Sequence, residues 1–399
     1  MMEYYLGVDL GSTNIKAMIL NERGDILSFR SSRNPIKRQD HKARQDLFYL
    51  FTQAKETIDR CIEDSKLDTK QITLMALSSQ RESFAFFDAS GYSPLFTWQD
   101  STKPKDLHLC AKHKIATLDT LFIHFLSDKK LFVTDPTHES YAKFQDCEAI
   151  KAEVVPSLSN FGTYRNIPIK ASVADLPASL YALGHNTVLS LGTGAFFLSK
   201  IDEETVKNGN QNNGKKYVGL DTDGTRVCYQ ELFIPYLAPI LLNLVEHFSP
   251  QRTMEEIESL AAGTFHTKGL FYHPQLEHLR GFSVTTGLCE WSRSLIEGFV
   301  FSIKELIELM QKNQHTLYSM IPVTGGVSKS NYMMQLLSDL SGVGLQRPRF
   351  VETDILGAIK LASSNPLEKL LEEERVFTPQ ANGVLQESYH LWRKAFYES

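Results

Sequence analysis

The 399-residue chain has few cysteines, no long apolar run and no strong excess of charge. Its cysteines are five in number and no two form a CxxC pair, so the sequence predicts neither a disulfide framework nor a zinc site. No stretch approaches the ~18 apolar residues of a membrane helix, and the opening MMEYYLGVDLG lacks the regions of a signal peptide. The net charge of −5, without a basic stripe, argues against nucleic acid and membranes as partners. We therefore expect a cytoplasmic protein.

Length and an internal repeat indicate two domains. A chain of 399 residues is too long for one ordinary core. The segments YYLGVDLGSTNIKAMIL and TVLSLGTGAFFLSK share the order of strand, turn of glycine and hydroxyl residues, and strand. The economical interpretation is a duplicated unit, with an N-terminal domain over residues 1–185 and a C-terminal domain over residues 186–399.

Apolar periodicity predicts an α/β protein. ITLMALSSQ is typical of a buried strand, whereas DLFYLFTQAKETIDRCIEDS and CEWSRSLIEGFVFSIKELIELM are typical of amphipathic helices. DLPASLYALG and ETDILGAIKLAS predict short helices, and another helix is predicted to be capped by Ser330 or Asn331. We interpret QELFIPYLAPILLNLVEHF as one buried helix.

Three glycine turns at strand ends predict a site for a polyphosphate. They are Gly11-Ser12-Thr13, Gly192-Thr193-Gly194 and Gly325-Gly326. Glycine lets a backbone approach an anion closely, and consecutive N–H groups in a tight turn form a phosphate nest. Two such hairpins facing each other across a cleft would hold the polyphosphate, and Asp9 would hold a magnesium ion. For any one turn alone, a polar turn with an incidental aspartate is the alternative.

A kinase also needs a carboxylate that accepts the proton of the attacking hydroxyl. Asp175 is the candidate, because it lies between a strand of small residues and the start of a helix. The same position suits a helix N-cap, with Pro177 in the first turn. The local pattern alone favours the cap, although the two roles can coexist.

The motifs resemble those of the FGGY carbohydrate kinases, members of the actin, Hsp70 and sugar-kinase superfamily, and are most similar to those of its glycerol kinases. GVDLGSTNIKAMILNERGDIL resembles the first phosphate motif, and SLGTGAFFL resembles the second. SSQRESFAFFDASGYSPLFTWQD is similar to the substrate segment, and TGGVSKSNYMMQLLSDLSG followed by RPRFVETDILGAIKLA is similar to the adenosine segment. The motifs occur in the order of the family and cover residues 4–362.

The resemblance implies a fold, cofactors and site residues. The fold would be two duplicated ribonuclease-H-like domains of the actin-like ATPase type with a cleft between them, and the cofactors would be ATP and Mg²⁺. Asp9 would organise the magnesium ion, and Asp175 would be the base, which reverses the preference for the cap. The nucleotide would be bound by Gly11, Ser12, Thr13, Gly192, Thr193, Gly194, Gly325, Gly326 and Asn331. The substrate would be bound by Gln80, Arg81, Glu82 and Trp98, although Trp98 is equally explained as a buried core residue.

The chain departs from the pattern of the family on the substrate side. Ala174-Asp175-Leu176 stands where the family has Gly-Asp-Gln, so one amide that would contact substrate is missing. The chain between TWQD and VTDPTHESYAKFQD is short, with no counterpart of the tyrosine-bearing segment that closes the pocket of glycerol kinases. GLFYHPQLEHLRG is all that remains of a longer loop. The nucleotide side is therefore expected to be intact and the substrate side reduced.

The sequence predicts an enzyme that moves the γ-phosphate of ATP to a hydroxyl of a small polyol or sugar, as a glycerol-kinase-like or ketose kinase. The alternative is a degenerate member of the fold that binds nucleotide in a regulatory or binding role and has little kinase activity. A chaperone-like or actin-like ATPase is disfavoured by the segment Gln80-Arg81-Glu82. The oligomeric state stays open, with a homodimer as one alternative.

Overall fold

The computed structural model describes residues 2–89, 91–107, 113–144, 146–201, 215–220 and 225–398. The chain divides into two compact units. Unit 1 comprises residues 1–185, 216–229 and 352–372, and unit 2 comprises residues 186–215, 230–351 and 373–399. Two later segments that the division at residue 185 assigns to the C-terminal half therefore lie in unit 1.

The strands of unit 1 form a main sheet with the order β13-β14-β6-β1-β2-β3. The strands are β1 Tyr4–Leu10, β2 Asn14–Asn21, β3 Ile26–Arg33, β4 Lys37–Gln39, β5 Lys42–Gln45, β6 Ile72–Ser79, β7 Phe84–Asp88, β8 Gly91–Tyr92, β9 Leu95–Phe96, β10 Lys114–Thr117, β11 Val133–Thr134, β12 Glu153–Val154, β13 Thr163–Tyr164 and β14 Ile167–Ala174. β1 and β14 both run parallel to β6, while β1, β2 and β3 form an antiparallel meander. β6 is buried along nearly its whole length, as ITLMALSSQ predicted.

The later strands belong mainly to unit 2. They are β15 Thr187–Leu191, β16 Ala195–Ile201, β17 Lys215–Leu220, β18 Arg226–Ile234, β19 Phe271–His273, β20 His278–Arg280, β21 Met320–Thr324, β22 Gly344–Pro348 and β23 Glu373–Phe377. Within unit 2 the neighbours follow the order β18-β16-β15-β21-β22-β23. The pair β15 and β16 is the strand, turn and strand predicted from TVLSLGTGAFFLSK.

The described helices are α1 Leu47–Ser65, α2 Leu118–Leu126, α3 Pro136–Ser140, α4 Asp175–Leu183, α5 Ala238–Phe248, α6 Met254–Ala262, α7 Leu288–Gln314, α8 Asn331–Ser341, α9 Thr353–Ser363, α10 Glu368–Leu371 and α11 Gly383–Tyr397. α1 buries one apolar face against the sheet of unit 1, as its periodicity predicted. α7 does the same in the core of unit 2. Ser330 caps α8 by accepting the N–H of Met333, which confirms the predicted cap.

The segment QELFIPYLAPILLNLVEHF is not one helix, and the prediction of a single buried helix was wrong. Its first residues, Gln230–Ile234, complete β18, and α5 begins only at Ala238. Pro235 cannot donate a backbone hydrogen bond and clashes with the preceding turn of a helix, so it separates the two elements. Pro239 is tolerated because it falls in the first turn of α5.

Two glycines let α9 pack against the elements that carry the candidate site of unit 1. A Cβ atom on Gly7 of β1 would lie 2.7 Å from Cδ1 of Ile359, and a Cβ atom on Gly357 would lie 2.0 Å from the carbonyl oxygen of Ala178 in α4. Any side chain at either position would push α9 away. The glycines therefore bring the start of α9 close to the carboxyl end of β1 and the start of α4.

Among the described residues, no helix is long and apolar enough to span a membrane. Cys61, Cys228 and Cys289 are free thiols. Cys147, in contrast, is disulfide-bonded, which the scattered spacing of the cysteines did not predict.

Candidate functional site

Three parallel strands of unit 1 end side by side. Leu10 at the end of β1 pairs with Ser79 at the end of β6, and Ser79 pairs with Ala174 at the end of β14. Because carboxyl ends of parallel strands meet at one edge of a sheet, the residues that follow them are neighbours. This register brings the Gly11 turn, the segment from Gln80 and Asp175 to the same edge.

The turn after β1 is held by buried amide side chains. Asn34 Nδ2 donates to the carbonyl of Gly11 at 2.9 Å, and Gln45 Nε2 donates to the carbonyl of Ser12 at 2.9 Å. A Cβ atom on Gly11 would lie 2.8 Å from the carbonyl oxygen of Asn14, so the turn requires glycine there. Thr13 is exposed at the tip of the turn. The loop is thus held in one conformation with its hydroxyl residues at the surface of unit 1.

The resemblance assigns Gln80 to the substrate, and this residue also stabilises the turn after β1 through hydrogen bonds. Its backbone N–H donates to the carbonyl of Leu10 at 3.0 Å, and its side-chain Nε2 donates to Oε1 of Gln45 at 2.9 Å. The side chain is buried. Gln80 therefore links the end of β6 to the loop that follows β1.

An ammonium group lies among three carboxylates beside the turn. Lys16 Nζ is 2.9 Å from Glu352, 3.1 Å from Asp9 and 3.6 Å from Asp354. Burial lowers the pKa of Lys16, but the attraction of Asp354, Asp9 and Glu352 outweighs it and leaves the pKa well above its usual value. Lys16 is therefore a permanent positive charge in a strongly acidic setting.

Asp9 is one of these three carboxylates and is almost fully buried. Burial raises the pKa of Asp9 well above its usual value, and Asp354 and Asp175 add to the rise while Lys16 opposes it. Its Oδ1 atom has no hydrogen-bond partner among the described residues. An orphaned carboxylate oxygen in a region of excess negative charge fits a divalent cation that prefers oxygen ligands.

Asp175 is the first residue of α4, and the N-cap of that helix is Ala174, which has no capping side chain. The N-cap alternative for Asp175 is therefore wrong, although its carboxylate accepts the N–H of Leu176 at 2.9 Å. Its side chain is 29% exposed and lies 3.4 Å from Nε of Arg81. Burial raises the pKa of Asp175 and the charge of Arg81 lowers it, with a net rise. The geometry leaves Asp175 partly open and supported by a cation.

The segment after β6 holds a compact group of aromatic and charged side chains. The guanidinium of Arg81 lies 4.7 Å from the ring centroid of Tyr141. Tyr141 stacks on Tyr217, with 3.5 Å between ring centroids. The hydroxyl of Tyr217 donates to Glu82 at 2.7 Å, and Lys143 Nζ lies 3.3 Å from the same carboxylate. Arg81 therefore contacts Tyr141, whereas Glu82 contacts Tyr217 and Lys143.

Trp98 lies next to this group. Its backbone N–H donates to the hydroxyl of Ser83 at 3.1 Å, and its carbonyl accepts from Lys143 Nζ at 2.8 Å. The residue is half-buried. Trp98 is thus not a fully buried core residue, which leaves its assignment to a substrate wall as a prediction.

Sequence reasoning missed several side chains of this region: Lys16, Tyr141, Lys143, Tyr217, Glu352 and Asp354. For Lys16 a signal was present, because the β1–β2 hairpin pairs it with Asp9 across the strands. No local signal could have placed Tyr217 against Glu82, because the two residues are 135 positions apart.

The Gly192-Thr193-Gly194 turn lies between β15 and β16 of unit 2. A Cβ atom on Gly194 would lie 2.6 Å from the carbonyl oxygen of Ile234, whereas Gly192 has open space at that position. The carbonyl of Thr193 accepts the N–H of Leu237 at 2.8 Å. Gly194 is therefore required for packing, and Gly192 leaves the backbone accessible.

The Gly325-Gly326 turn follows β21 of unit 2. Gly325 has a φ of 85°, and a Cβ atom there would lie 2.5 Å from the carbonyl oxygen of Leu191. Gly326 has no atom within 4 Å of its Cβ position. Asn331 is the exposed first residue of α8. These three residues line an open strand-to-helix turn, and their assignment to the nucleotide stays a prediction.

Two sequence models of one family match the chain. The N-terminal domain of the FGGY family of carbohydrate kinases matches residues 4–116, and its C-terminal domain matches residues 250–365. The chain belongs to the FGGY family of carbohydrate kinases. This confirms the predicted family, the two-domain actin-like ATPase fold and the class of an ATP-dependent sugar or polyol kinase.

Curated relatives are similar over most of their length. The glycerol kinase of Trichodesmium erythraeum is 26% identical over 374 residues, covering 78% of this chain and 71% of that protein. Glycerol kinase 2 of Saccharolobus solfataricus is 22% identical over 490 residues, covering 98% of this chain and 96% of that protein.

Solved structures of the family share the fold. Plasmodium falciparum glycerol kinase with ADP aligns with a TM-score of 0.81 at 16% identity, covering 100% of this chain and 98% of that one. Xylulose kinase from Lactobacillus acidophilus aligns with a TM-score of 0.77 at 16% identity, covering 100% and 99%. Gluconate kinase from the same organism gives 0.78 at 16% identity, covering 100% and 97%. Since the named acceptors of these three proteins differ, the likeness fixes the fold and not the acceptor.

Proposed function

We propose that this kinase transfers the γ-phosphate of ATP to a hydroxyl of a small polyol or ketose, with Asp175 as the general base. The observation that carries the proposal is the position of Asp175. It stands partly open at the carboxyl edge of the sheet of unit 1, 3.4 Å from Arg81 and within the electrostatic field of Asp9. A carboxylate in such a position can receive the proton of an attacking hydroxyl.

The proton transfer depends on the environment of Asp175. Burial raises its pKa, which makes the carboxylate a stronger base than one in water, while Arg81 keeps the ionised form favoured. The hydroxyl of the acceptor would donate to Asp175 as its oxygen attacks the γ-phosphorus of ATP, and the bond from that phosphorus to the bridging oxygen would break to release ADP. The proton would then rest on the carboxylate until the product leaves.

Arg81 and Glu82 would orient the acceptor. The guanidinium donates hydrogen bonds in a planar fork and the carboxylate accepts them, so the two side chains can bind neighbouring hydroxyls of a polyol. Tyr141 contacts the guanidinium of Arg81, and Tyr217 donates to the carboxylate of Glu82. Since the tyrosine-bearing segment of glycerol kinases has no counterpart in the sequence, we expect weak use of glycerol with a high KM and better use of a longer polyol or a ketose.

Asp9 is the residue that would hold Mg²⁺, because its orphaned Oδ1 and the excess of negative charge around it fit a divalent cation. When bound, the ion would offset negative charge on the phosphates. Lys16 would keep the acidic cluster from repelling the nucleotide.

Nucleotide binding is assigned to the glycine turns. In unit 1 these residues are Gly11, Ser12 and Thr13. In unit 2 they are Gly192, Thr193, Gly194, Gly325, Gly326 and Asn331. Backbone N–H groups in such turns suit phosphate oxygens, and the open space at Gly192 and Gly326 lets a ligand approach.

The experiment is a panel of polyols and ketoses tested for acceptor-dependent release of ADP, with the phosphorylated product identified by mass. We expect at least one acceptor to be phosphorylated stoichiometrically with ADP release. If Mg-ATP binds and no acceptor in the panel is phosphorylated, the proposal fails and the degenerate nucleotide-binding protein becomes the better account.

A further inference from the structure

A fully buried carboxylate lies behind the carboxyl edge of the sheet, outside the set of residues described above. Asp135 is the N-cap of α3, and its oxygens accept the N–H groups of Thr137 at 3.1 Å and His138 at 3.0 Å. They also accept the hydroxyl of Thr137, the hydroxyl of Ser157 and Nδ1 of His138. Every hydrogen-bonding position of this carboxylate is engaged, which fixes the turn from Asp135 to His138 as a rigid unit.

The imidazole of His138 is held at both nitrogens. Nδ1 lies 2.6 Å from Asp135 Oδ1 and 3.5 Å from Asp119 Oδ2, and Nε2 lies 2.8 Å from the hydroxyl of Ser79. The residue is 1% exposed. Burial alone would lower its pKa, but Asp119 and Asp135 outweigh burial and raise the pKa of His138 to about 9. Two carboxylates on one side and a hydroxyl on the other favour the imidazolium form of the ring, which would donate at both nitrogens.

This turn contacts two of the three strand ends of the candidate site. Nε2 of His138 forms a hydrogen bond with the hydroxyl of Ser79, the last residue of β6. Ser79 in turn pairs with Leu10 and Ala174 in the sheet. The hydroxyl of Thr137 accepts the N–H of Ala174 at 2.9 Å, one residue before Asp175. The chain of contacts thus runs from Asp135 through Thr137 to the backbone that carries the base.

A metal site is the competing interpretation of the same cluster, since ligand atoms of Asp119, Asp135 and His138 lie within 4.8 Å of one another. The hydrogen bonds argue against it. Asp135 is saturated by donors, and Nδ1 of His138 would have to lose its hydrogen bond to Asp135 before it could bind an ion. Thr134 also donates to Asp119 at 2.9 Å. Asp119 Oδ1 has no hydrogen-bond partner among the described residues, but the other two ligands, Asp135 and His138, are already saturated by hydrogen bonds.

We propose that His138 and Thr137 are positioning residues of the transfer site. The buried imidazolium fixes the Asp135 turn and the end of β6, and Thr137 fixes the backbone before Asp175. This inference rests on the proposed role of Asp175 as the base. Neither residue touches the acceptor in this account, so both act on the rate only through the placement of the base.

The charge state of His138 can be measured without any turnover. In ¹⁵N-labelled protein, NMR should show both ring nitrogens of one histidine protonated at pH 7, and His138→Gln should remove that resonance. His273 is a matched internal reference, because it is equally buried at 1% exposure but its pKa is lowered to about 4 by burial. A neutral His138 at pH 7 would overturn the imidazolium assignment.

The positioning role is tested by two variants of one residue. Thr137→Ser keeps the hydroxyl that accepts the N–H of Ala174, and Thr137→Val removes it at nearly the same volume. We expect Thr137→Val to lower kcat on the order of tenfold or more, because a small displacement of a catalytic group strongly lowers the rate of the reaction. Thr137→Ser should stay near the parent rate. The affinity for Mg-ADP should be unchanged in both. Equal kcat values in the two variants would overturn the positioning role.

Amide hydrogen exchange separates failure of this inference from failure of the proposed function. The N–H of Ala174 should exchange faster in Thr137→Val than in Thr137→Ser, because only the serine can still accept it. That result would support the contact even if no acceptor were ever phosphorylated. Equal exchange in the two variants would overturn it, whatever the activity of the enzyme. His273→Gln, a buried histidine variant in unit 2, should leave the exchange of Ala174 unchanged.

Discussion

The pH dependence of turnover should be controlled by Arg81. Its Nε atom lies 3.4 Å from Oδ1 of Asp175, and its charge opposes the rise in the pKa of Asp175 that burial causes. Replacing Arg81 with methionine removes the charge and keeps much of the length of the side chain. The pKa of Asp175 should then rise, because the ionised form loses its nearest cation.

The size of this shift follows from the distance. At 3.4 Å the Coulomb energy of two unit charges is about 1 kcal/mol in water and about 5 kcal/mol at an effective dielectric constant near 20. Asp175 is 29% exposed, so the true value lies between these limits. A carboxylate beside an arginine usually has its pKa lowered by about 1 to 3 units. We therefore expect the acid limb of kcat/KM to move up by about 1 to 3 pH units in Arg81→Met.

The assay is the pH profile of kcat/KM for the parent, Arg81→Met and Arg81→Lys with the best acceptor of the panel. Both variants should lower the plateau, since Arg81 also binds the acceptor in this account. Only Arg81→Met should move the acid limb, because lysine keeps the charge. An acid limb at the same pH in the parent and in Arg81→Met would refute the reasoning that links Asp175 to proton transfer.

Three further variants test other parts of the account. Mg-ADP should raise the Tm of the parent, and Gly326→Trp should abolish the shift because the Cβ position of Gly326 faces open space where the nucleotide is assigned. Gly383→Trp is the control, because the Cβ position of Gly383 is equally unobstructed. An undiminished shift in Gly326→Trp would contradict the assignment. Glu82→Gln should lower acceptor-dependent turnover with unchanged affinity for Mg-ADP, and equal losses in both would show that Glu82 does not bind the acceptor. Lys16→Met should lower Tm more at pH 8 than at pH 5. The pKa of Asp9 is raised in the folded state, so the fold loses stability as the pH rises through that pKa and Asp9 ionises. Loss of the Lys16 charge strengthens this effect, because Lys16 opposes the rise in the pKa of Asp9. Equal losses of Tm at the two pH values would contradict this.

Local pattern was sufficient for the elements that carry the site. The buried run of β6 and the apolar face of α1 appear in the structure as their periodicity predicted. Local pattern also made Asp9 and Asp175 candidates, the family resemblance then favoured the base over the cap for Asp175, and the structure brings both residues to the edge of one sheet. The error at Gln230–Ile234 has a simple cause, because a continuous apolar run cannot distinguish a buried strand from a buried helix.

Contacts between distant parts of the chain could not be predicted from local pattern. Asp354 of α9 lies beside the same ammonium group of Lys16 as Asp9. Tyr217, which donates to Glu82, belongs to a segment from the second half of the chain that lies in unit 1. The sequence also showed Asp175 as a suitable N-cap, whereas the helix begins at Asp175 itself. At this position the carboxylate accepts the N–H of Leu176 and also lies beside Arg81.

The central claim, that Asp175 is the base of a phosphotransferase, is tested most directly by Asp175→Asn. Asparagine keeps the size of the side chain and can still accept the N–H of Leu176, but it cannot take a proton. Acceptor-dependent kcat should fall by about 10²-fold or more, with Tm and Mg-ADP affinity close to those of the parent. Turnover that survives in Asp175→Asn, in a folded protein that binds Mg-ADP normally, would contradict the claim.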